Sequence, residues 1–344
     1  MKNNSICHNL FLFFLLIFIN VNAQDNDGLY LSKMTGINSV SYTDVYYTGS
    51  KDTVLVSKYD GTIEQIVKGS PKSKKVAKIN DEIYAITYNF KRKHIAASTL
   101  ENGIVIINKQ NGKVIKKLSL IQTWALRIDY SNDSKFLFAN DQRGNRFIWD
   151  VDDNYNPIKL PEVMPKGSIY SIKNNVITLI TSKKIILWNF LKRELIKEIN
   201  ISASRIADVD LFNNYLNLNF NSCDFFDVAK GKSLFSLQHP SWIRPVESIG
   251  GEDAARTSGF LVKNGFFEDT HYQMALTSAK FAKNRIYTAS IDKSIRVWDK
   301  ETGTLIDNLI GHKGTVNKIK VNATENQLVS IDLLGGIKFW NLLD

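Results

Sequence analysis

Ser294-Ile-Arg-Val-Trp-Asp299 is followed by Lys-Glu-Thr-Gly303, and Gly336-Ile-Lys-Phe-Trp-Asn341 repeats the pattern 42 residues later. Each is a short strand with alternating side chains, closed by an aromatic residue and then Asp or Asn. Further back, related strands end at Phe147-Ile-Trp-Asp150, Ile185-Ile-Leu-Trp-Asn189 and Phe225-Phe-Asp227. Weaker copies stand at Asn102-Gly-Ile-Val-Ile-Ile-Asn108 and Asp60-Gly-Thr-Ile-Glu-Gln65. With Gln65, Ile107, Trp149, Trp188, Phe226, Trp298 and Trp340 as equivalent positions, the spacings are 42, 42, 39, 38, 72 and 42. Four short strands in a period of about 40 residues make one blade of a β-propeller, so the chain reads as all-β. The long spacing holds an excess of 32 residues, His239 to Thr270, including the poor β-former Gly250-Gly-Glu-Asp-Ala-Ala255. That segment reads as an insertion in a seven-bladed ring, with a degenerate extra blade, giving eight, as the alternative.

In the final unit Gly311-His312 precedes the first strand, Ser330 ends the second, Asp332 lies in the next turn and Trp340 ends the third. On these residues the chain resembles the WD40-repeat family. The resemblance implies a structural tetrad in which buried His312, Ser330, Asp332 and Trp340 hydrogen-bond across the blade. In the preceding unit it implies the same of His271, Ser290, Asp292 and Trp298. The final unit stops after its third strand, and Leu29-Tyr-Leu-Ser-Lys-Met34 has the composition of the missing fourth. As the N-terminal segment does in WD40 proteins, this strand is expected to pair with the last blade and close the ring, removing two exposed edges.

Residues 1–23 read as a secretory signal peptide: Lys2, an apolar run from Leu10 to Ile19, and Val21-Asn-Ala23 at the cleavage site. A ten-residue run spans about 15 Å as a helix, half of the roughly 30 Å hydrocarbon core, so no anchor is expected after cleavage. The propeller is then 24–344, exported to the periplasm or secreted. Cys223 is the one cysteine left, so no intrachain disulfide is expected, and its inward position suits a small buried apolar residue. The net charge of +10 comes without basic residues interleaved with aromatics, so it suits solubility better than nucleic-acid binding.

None of His94, His239, His271 and His312 stands at metal-ligand spacing from another His, a Cys or a carboxylate. No phosphate loop, nucleophile elbow or zinc signature is present. The innermost strands read as mostly uncharged, with Tyr84, Leu126, Tyr170, Ala207, Thr277 and Asn317 at equivalent places, and the nearby Asp129, Asp208 and Asp210 form no recognisable set. The expected function is therefore a non-enzymatic scaffold for protein partners, a monomeric ring without cofactor or metal. The alternative is an exported propeller enzyme or small-ligand binder that uses the central channel. Converging ionisable groups in the channel would favour the alternative, and an aromatic, charged top rim would favour the scaffold.

By resemblance to WD40 proteins, partners dock on the face made by the loop entering each first strand and the turn between second and third strands. The period puts Glu82, Trp124, Ser168, Arg205, Ala275 and Thr315 there. Trp and Arg are the residue types most often found at interaction hot spots, which singles out Trp124 and Arg205. The insertion offers a second surface with Trp242, Arg244, Phe266 and Phe267, since long loops in compact repeats commonly carry function.

Overall fold

The computed structural model describes residues 41–49, 52–120, 123–203, 205–239, 242–269 and 275–342. The leader at 1–23, the closing strand expected at Leu29 to Met34, and His271 lie outside the described residues.

Seven antiparallel sheets form the blades, spanning 42–78, 83–118, 125–157, 168–200, 206–238, 276–309 and 316–341. Within each blade consecutive strands pair in chain order, and the seventh has three described strands, Val316–Val321, Gln327–Asp332 and Ile337–Asn341. Burial explains the composition of each strand. In blade 2 the third strand, Ile104–Asn108, is apolar at consecutive positions, because Ile104, Val105, Ile106 and Ile107 are all buried. A sheet sandwiched between two others needs apolar residues on both faces. Outermost strands such as Glu194–Asn200 are mostly exposed, and there Leu195 and Ile196 stand in the open among Glu194, Lys197 and Glu198.

The packing between blades fixes their number. Leu216, Cys223 and Phe225 of blade 5 share a core with Leu276, Ala279 and Trp298 of blade 6, so nothing intervenes between them. The ring closes where Tyr42, Val45 and Val54 of blade 1 pack on Val329 and Ile331 of blade 7. Ser41 Oγ also donates to the Leu333 carbonyl, and Asn317 Nδ2 to that of Tyr42 at 3.1 Å. The segment between blades 5 and 6 is a small unit of its own. Strands Trp242–Pro245, Val262–Lys263 and Phe266–Asp269 form a three-stranded sheet beside a 3-10 turn, Val246–Ile249, and a helix, Glu252–Thr257. Val246, Ala255 and Phe267 make its core. The stretch that resists a strand assignment, Gly250 to Ala255, is the turn and helix start, with Gly250 and Gly251 at φ of 98° and 103°.

Candidate functional site: top face and central channel

The carbonyls entering the first strands accept from amides in the turns between second and third strands. Glu82 accepts from Leu100, Trp124 from Gln142, Ala275 from Ile291 and Thr315 from Leu333. These bonds place the expected entry positions and the turns on one end of the ring, here the top face. There Tyr84 stacks on Trp124 with centroids 5.8 Å apart, and Tyr59 meets Tyr84 edge-on at 6.2 Å. The Tyr84 hydroxyl donates to Glu82 at 2.7 Å. Burial, with Glu82 adding to it, pushes the Tyr59 phenol up to about 12. All four residues are half-buried, so the row presents ring faces and edges at the surface while remaining packed. Arg205 stands on the same end, but its guanidinium donates to the Thr277 carbonyl at 2.8 Å, tying blade 5 to blade 6.

Tyr59 and Tyr84 are absent from the sequence-based set, as are three apolar residues in successive top turns, Phe220 at 57% exposure, Ile291 at 37% and Leu334 at 48%. The signal in the sequence is a large apolar residue inside a polar or Gly-rich turn, as in Asn219-Phe-Asn221, Ser290-Ile-Asp292 and Leu334-Gly-Gly336. In the insertion, Phe267 is only 1% exposed and belongs to its core, which corrects its expected place on a contact surface. Arg244 pairs with buried Asp269 at 2.8 Å, so it too holds the insertion together. Trp242 lies in the first strand of the insertion, and Phe266 is exposed.

In blade 7 His312 Nδ1 lies 2.7 Å from Asp332 Oδ2 and its Nε2 lies 2.6 Å from Ser330 Oγ, which accepts from Trp340 Nε1 at 2.8 Å. Burial alone would raise the Asp332 carboxyl, but hydrogen bonds from His312 and the Gly336 amide bring it down to about 2. Blade 6 reaches a similar end with different residues. His239 Nε2 lies 2.6 Å from Thr288 Oγ1, which accepts from Trp298 Nε1 at 2.8 Å. Arg296 bridges the other side, donating to His239 Nδ1 and to Asp292 Oδ2, both at 2.6 Å. Thr288 thus stands where the sequence pattern suggested Ser290, and His239 is a propeller residue that precedes the insertion. Ser290 instead accepts from the Asp292 amide at 3.2 Å.

The channel is more charged than the repeat suggests. First strands carry a register shift near their start, for example between Tyr42 and Asp44, Ile206 and Asp208, and Val316 and Lys318. Tyr84, Tyr170, Thr277 and Asn317 are the extra residues at such shifts, and each resets the alternation downstream. Beyond them Val45, Ile128, Ala279 and Ile319 are buried between blades. The alternate positions, Asp44, Tyr46, Arg127, Asp129, Lys280, Lys318 and Lys320, therefore turn to the axis. Tyr46 of blade 1 accordingly reaches Asp129 of blade 3 at 3.2 Å, past blade 2. This corrects the expectation of a largely uncharged inner ring.

Each axial carboxylate ties blades together. Asp44 accepts from the Ile86 amide at 3.0 Å and pairs with Lys318 at 2.9 Å, joining blades 7, 1 and 2. Asp129 accepts from Thr87 at 2.8 Å as well as from Tyr46. Asp208 accepts from the Tyr170 hydroxyl at 2.8 Å and the Phe281 amide at 2.9 Å, and pairs with Lys280 at 2.7 Å. Among the described residues, no three His, Cys, Asp or Glu side chains are grouped so as to hold a metal ion, and no helix is long and apolar enough to cross a membrane.

No family model matches the chain. Among curated proteins it is 28% identical over 91 residues to "Mitogen-activated protein kinase kinase kinase A" of Dictyostelium discoideum, which is 26% of this chain and 10% of that protein. It is 34% identical over 59 residues to "Transcription initiation factor TFIID subunit 5" of Caenorhabditis elegans, 17% of this chain and 9% of that protein. The chain therefore spans about a tenth of the length of these relatives. Solved structures match far more of it. "Structure of U3-55K" superposes with a TM-score of 0.59 at 12% identity, covering 88% of this chain and 92% of that one. "Crystal structure of RRP9 WD40 repeats" gives 0.59 at 12%, covering 85% and 87%. Blade by blade and in its superpositions, the chain has the fold of a WD40-repeat β-propeller.

Proposed function

We propose that this propeller is an exported, non-enzymatic scaffold that holds protein partners on its top face. The observation that carries the reading is the half-exposed row of Tyr59, Tyr84 and Trp124 beside Glu82. Aromatic groups that are already packed lose little freedom on binding and supply most of the energy at protein interfaces. Phe220, Ile291 and Leu334 extend the apolar surface around the same end, and the insertion leaves the ring there, after the fourth strand of blade 5. The channel does gather ionisable groups, as the channel alternative requires, but its carboxylates Asp44, Asp129 and Asp208 are each engaged in holding neighbouring blades, which supports a scaffold over an enzyme. The leader reading at 1–23 supports a periplasmic or secreted address.

The test is affinity capture from an envelope extract of the source cell, comparing wild type with Trp124→Ala and Tyr84→Ala. The expected result is a protein retained by wild type and lost from both variants, with thermal midpoints showing that both still fold. Equal retention by folded variants would remove the top aromatic row from the binding surface.

A further inference from the structure

Strands alternate in direction within each blade, so the turns between first and second strands and between third and fourth strands form the end of the ring opposite the top face. Ion pairs between neighbouring blades set these lower turns side by side: Arg92 pairs with Asp152 at 2.6 Å and Lys300 with Asp210 at 2.9 Å. Among the described residues the lower turns hold thirteen Lys or Arg and seven Asp or Glu, whereas the turns between second and third strands hold three of each. The lower turns thus carry a basic excess that the top turns lack. Like charges are crowded there: burial, with Lys74 and Lys93 adding to it, holds the Lys109 ammonium below the ordinary lysine value. The same turns expose large apolar side chains. Leu211 and Phe212 stand next to each other in blade 5 at 85% and 77% exposure. Leu191 is exposed in a turn it shares with Lys192 and Arg193, and Phe90 in one it shares with Lys91 and Lys93.

We infer that this lower face docks on a membrane surface bearing anionic phospholipids, with Leu211, Phe212, Leu191 and Phe90 entering the headgroup region and the cations around them against the lipid phosphates. A basic excess alone would serve solubility, but large apolar side chains at the tips of the same turns work against solubility. Nucleic acid matches the charge and not Leu191 or Leu211, which offer it neither a hydrogen bond nor a stacking face. An anionic lipid surface matches both features, because burial of apolar tips and attraction of Lys and Arg to the headgroups add together. The tips also belong to separate blades, 2, 4 and 5, arranged around one axis. A flat surface can meet them together, where a single protein groove would reach one. Docked in this way, the ring holds Tyr84 and Trp124 away from the lipid.

The proposal is tested by co-sedimentation of the whole protein with vesicles of phosphatidylcholine alone and of phosphatidylcholine mixed with phosphatidylglycerol. Binding is expected to the mixed vesicles and not to the neutral ones, and it should weaken as salt is raised. Leu211→Ser combined with Phe212→Ser should weaken it by about tenfold or more, the loss of two apolar side chains that lipid would bury. Lys91→Glu combined with Lys93→Glu should weaken it by a similar factor. All four residues are exposed, so the thermal midpoints should stay at the wild-type value. Trp124→Ala, on the top face, should bind vesicles as wild type does. No binding of wild type to the mixed vesicles overturns the proposal. Undiminished binding by the folded serine pair also overturns it, leaving a general polyanion surface in place of a lipid one. If the serine pair does not fold, Phe212→Ala decides alone: binding equal to wild type overturns the proposal.

Discussion

The Asp208 carboxylate lies 2.7 Å from the Lys280 ammonium and also accepts from Tyr170 and the Phe281 amide, so one side chain joins blades 4, 5 and 6. Burial works against the Lys280 charge, yet Asp208 beside it keeps its pKa above the ordinary lysine value. Asp208→Asn should cost about 2–4 kcal/mol, because it leaves that ammonium without its counterion. Lys280→Met should cost a similar amount, about 2–4 kcal/mol, because it leaves the Asp208 carboxylate without its counterion. Chemical denaturation of the two single variants and the double variant checks this, and the double variant should be more stable than the sum of the single losses implies.

Thr288 accepts from two buried donors, so Thr288→Val should cost about 2–4 kcal/mol. Ser290→Ala removes a single bond to the Asp292 amide and should cost about 1 kcal/mol. The two histidines should also differ in proton position. Arg296 can only donate, so His239 Nδ1 carries no hydrogen, whereas the Asp332 carboxylate can only accept, so His312 Nδ1 carries one. Nitrogen chemical shifts of the two rings would report opposite arrangements at Nδ1.

Asp332 sets a pH limit on blade 7. Its carboxyl titrates at about 2 in the folded chain against an ordinary 3.8, so its contribution is complete above the unfolded value and is lost as pH falls from about 4 toward 2. The amount is about 2 kcal/mol, at 1.36 kcal/mol per pKa unit. Asp332→Asn should flatten stability over that window. Gly336→Ala should destabilise in the same region, because a Cβ there would collide with the Asp332 carboxylate.

Lys320 acts in the opposite direction. Its folded pKa of about 8 lies below the ordinary 10.5, so the folded chain loses this proton before the unfolded chain does. Stability should therefore rise with pH from about 8 to about 10.5. Lys320→Met should remove that rise and raise stability at pH 7 by about 1–2 kcal/mol, discounted for the water that reaches the channel. Equilibrium unfolding at several pH values measures both effects.

The ring was legible because a period near 40 and a closing aromatic survive even in degenerate blades. The residue-level pattern was less so, and register explains why. Trp340 pairs opposite Leu328, two residues before Ser330. Trp298 pairs opposite Ile286, two residues before Thr288. Matching Ser290 and Asp292 to Ser330 and Asp332 preserved the letters and shifted that register by two. The charge of the channel is hidden from the sequence for a related reason. One extra residue at Tyr170 or Asn317 turns the following side chains onto the opposite face, which strict alternation does not anticipate. The insertion kept its aromatics for its own small core, so Phe267 gave no sign from sequence that it faces inward.

The central claim is that partners dock on the top face, and site-specific photo-crosslinking in the source cell tests it most directly. A photoreactive residue would be placed at Glu82, at Trp124 or at Leu334 on the top, and at Leu211 or Phe212 in the exposed turn at the opposite end of blade 5. One recurrent protein adduct is expected from the top positions and none from Leu211 or Phe212. A recurrent adduct from the opposite end, with none from the top, would contradict it.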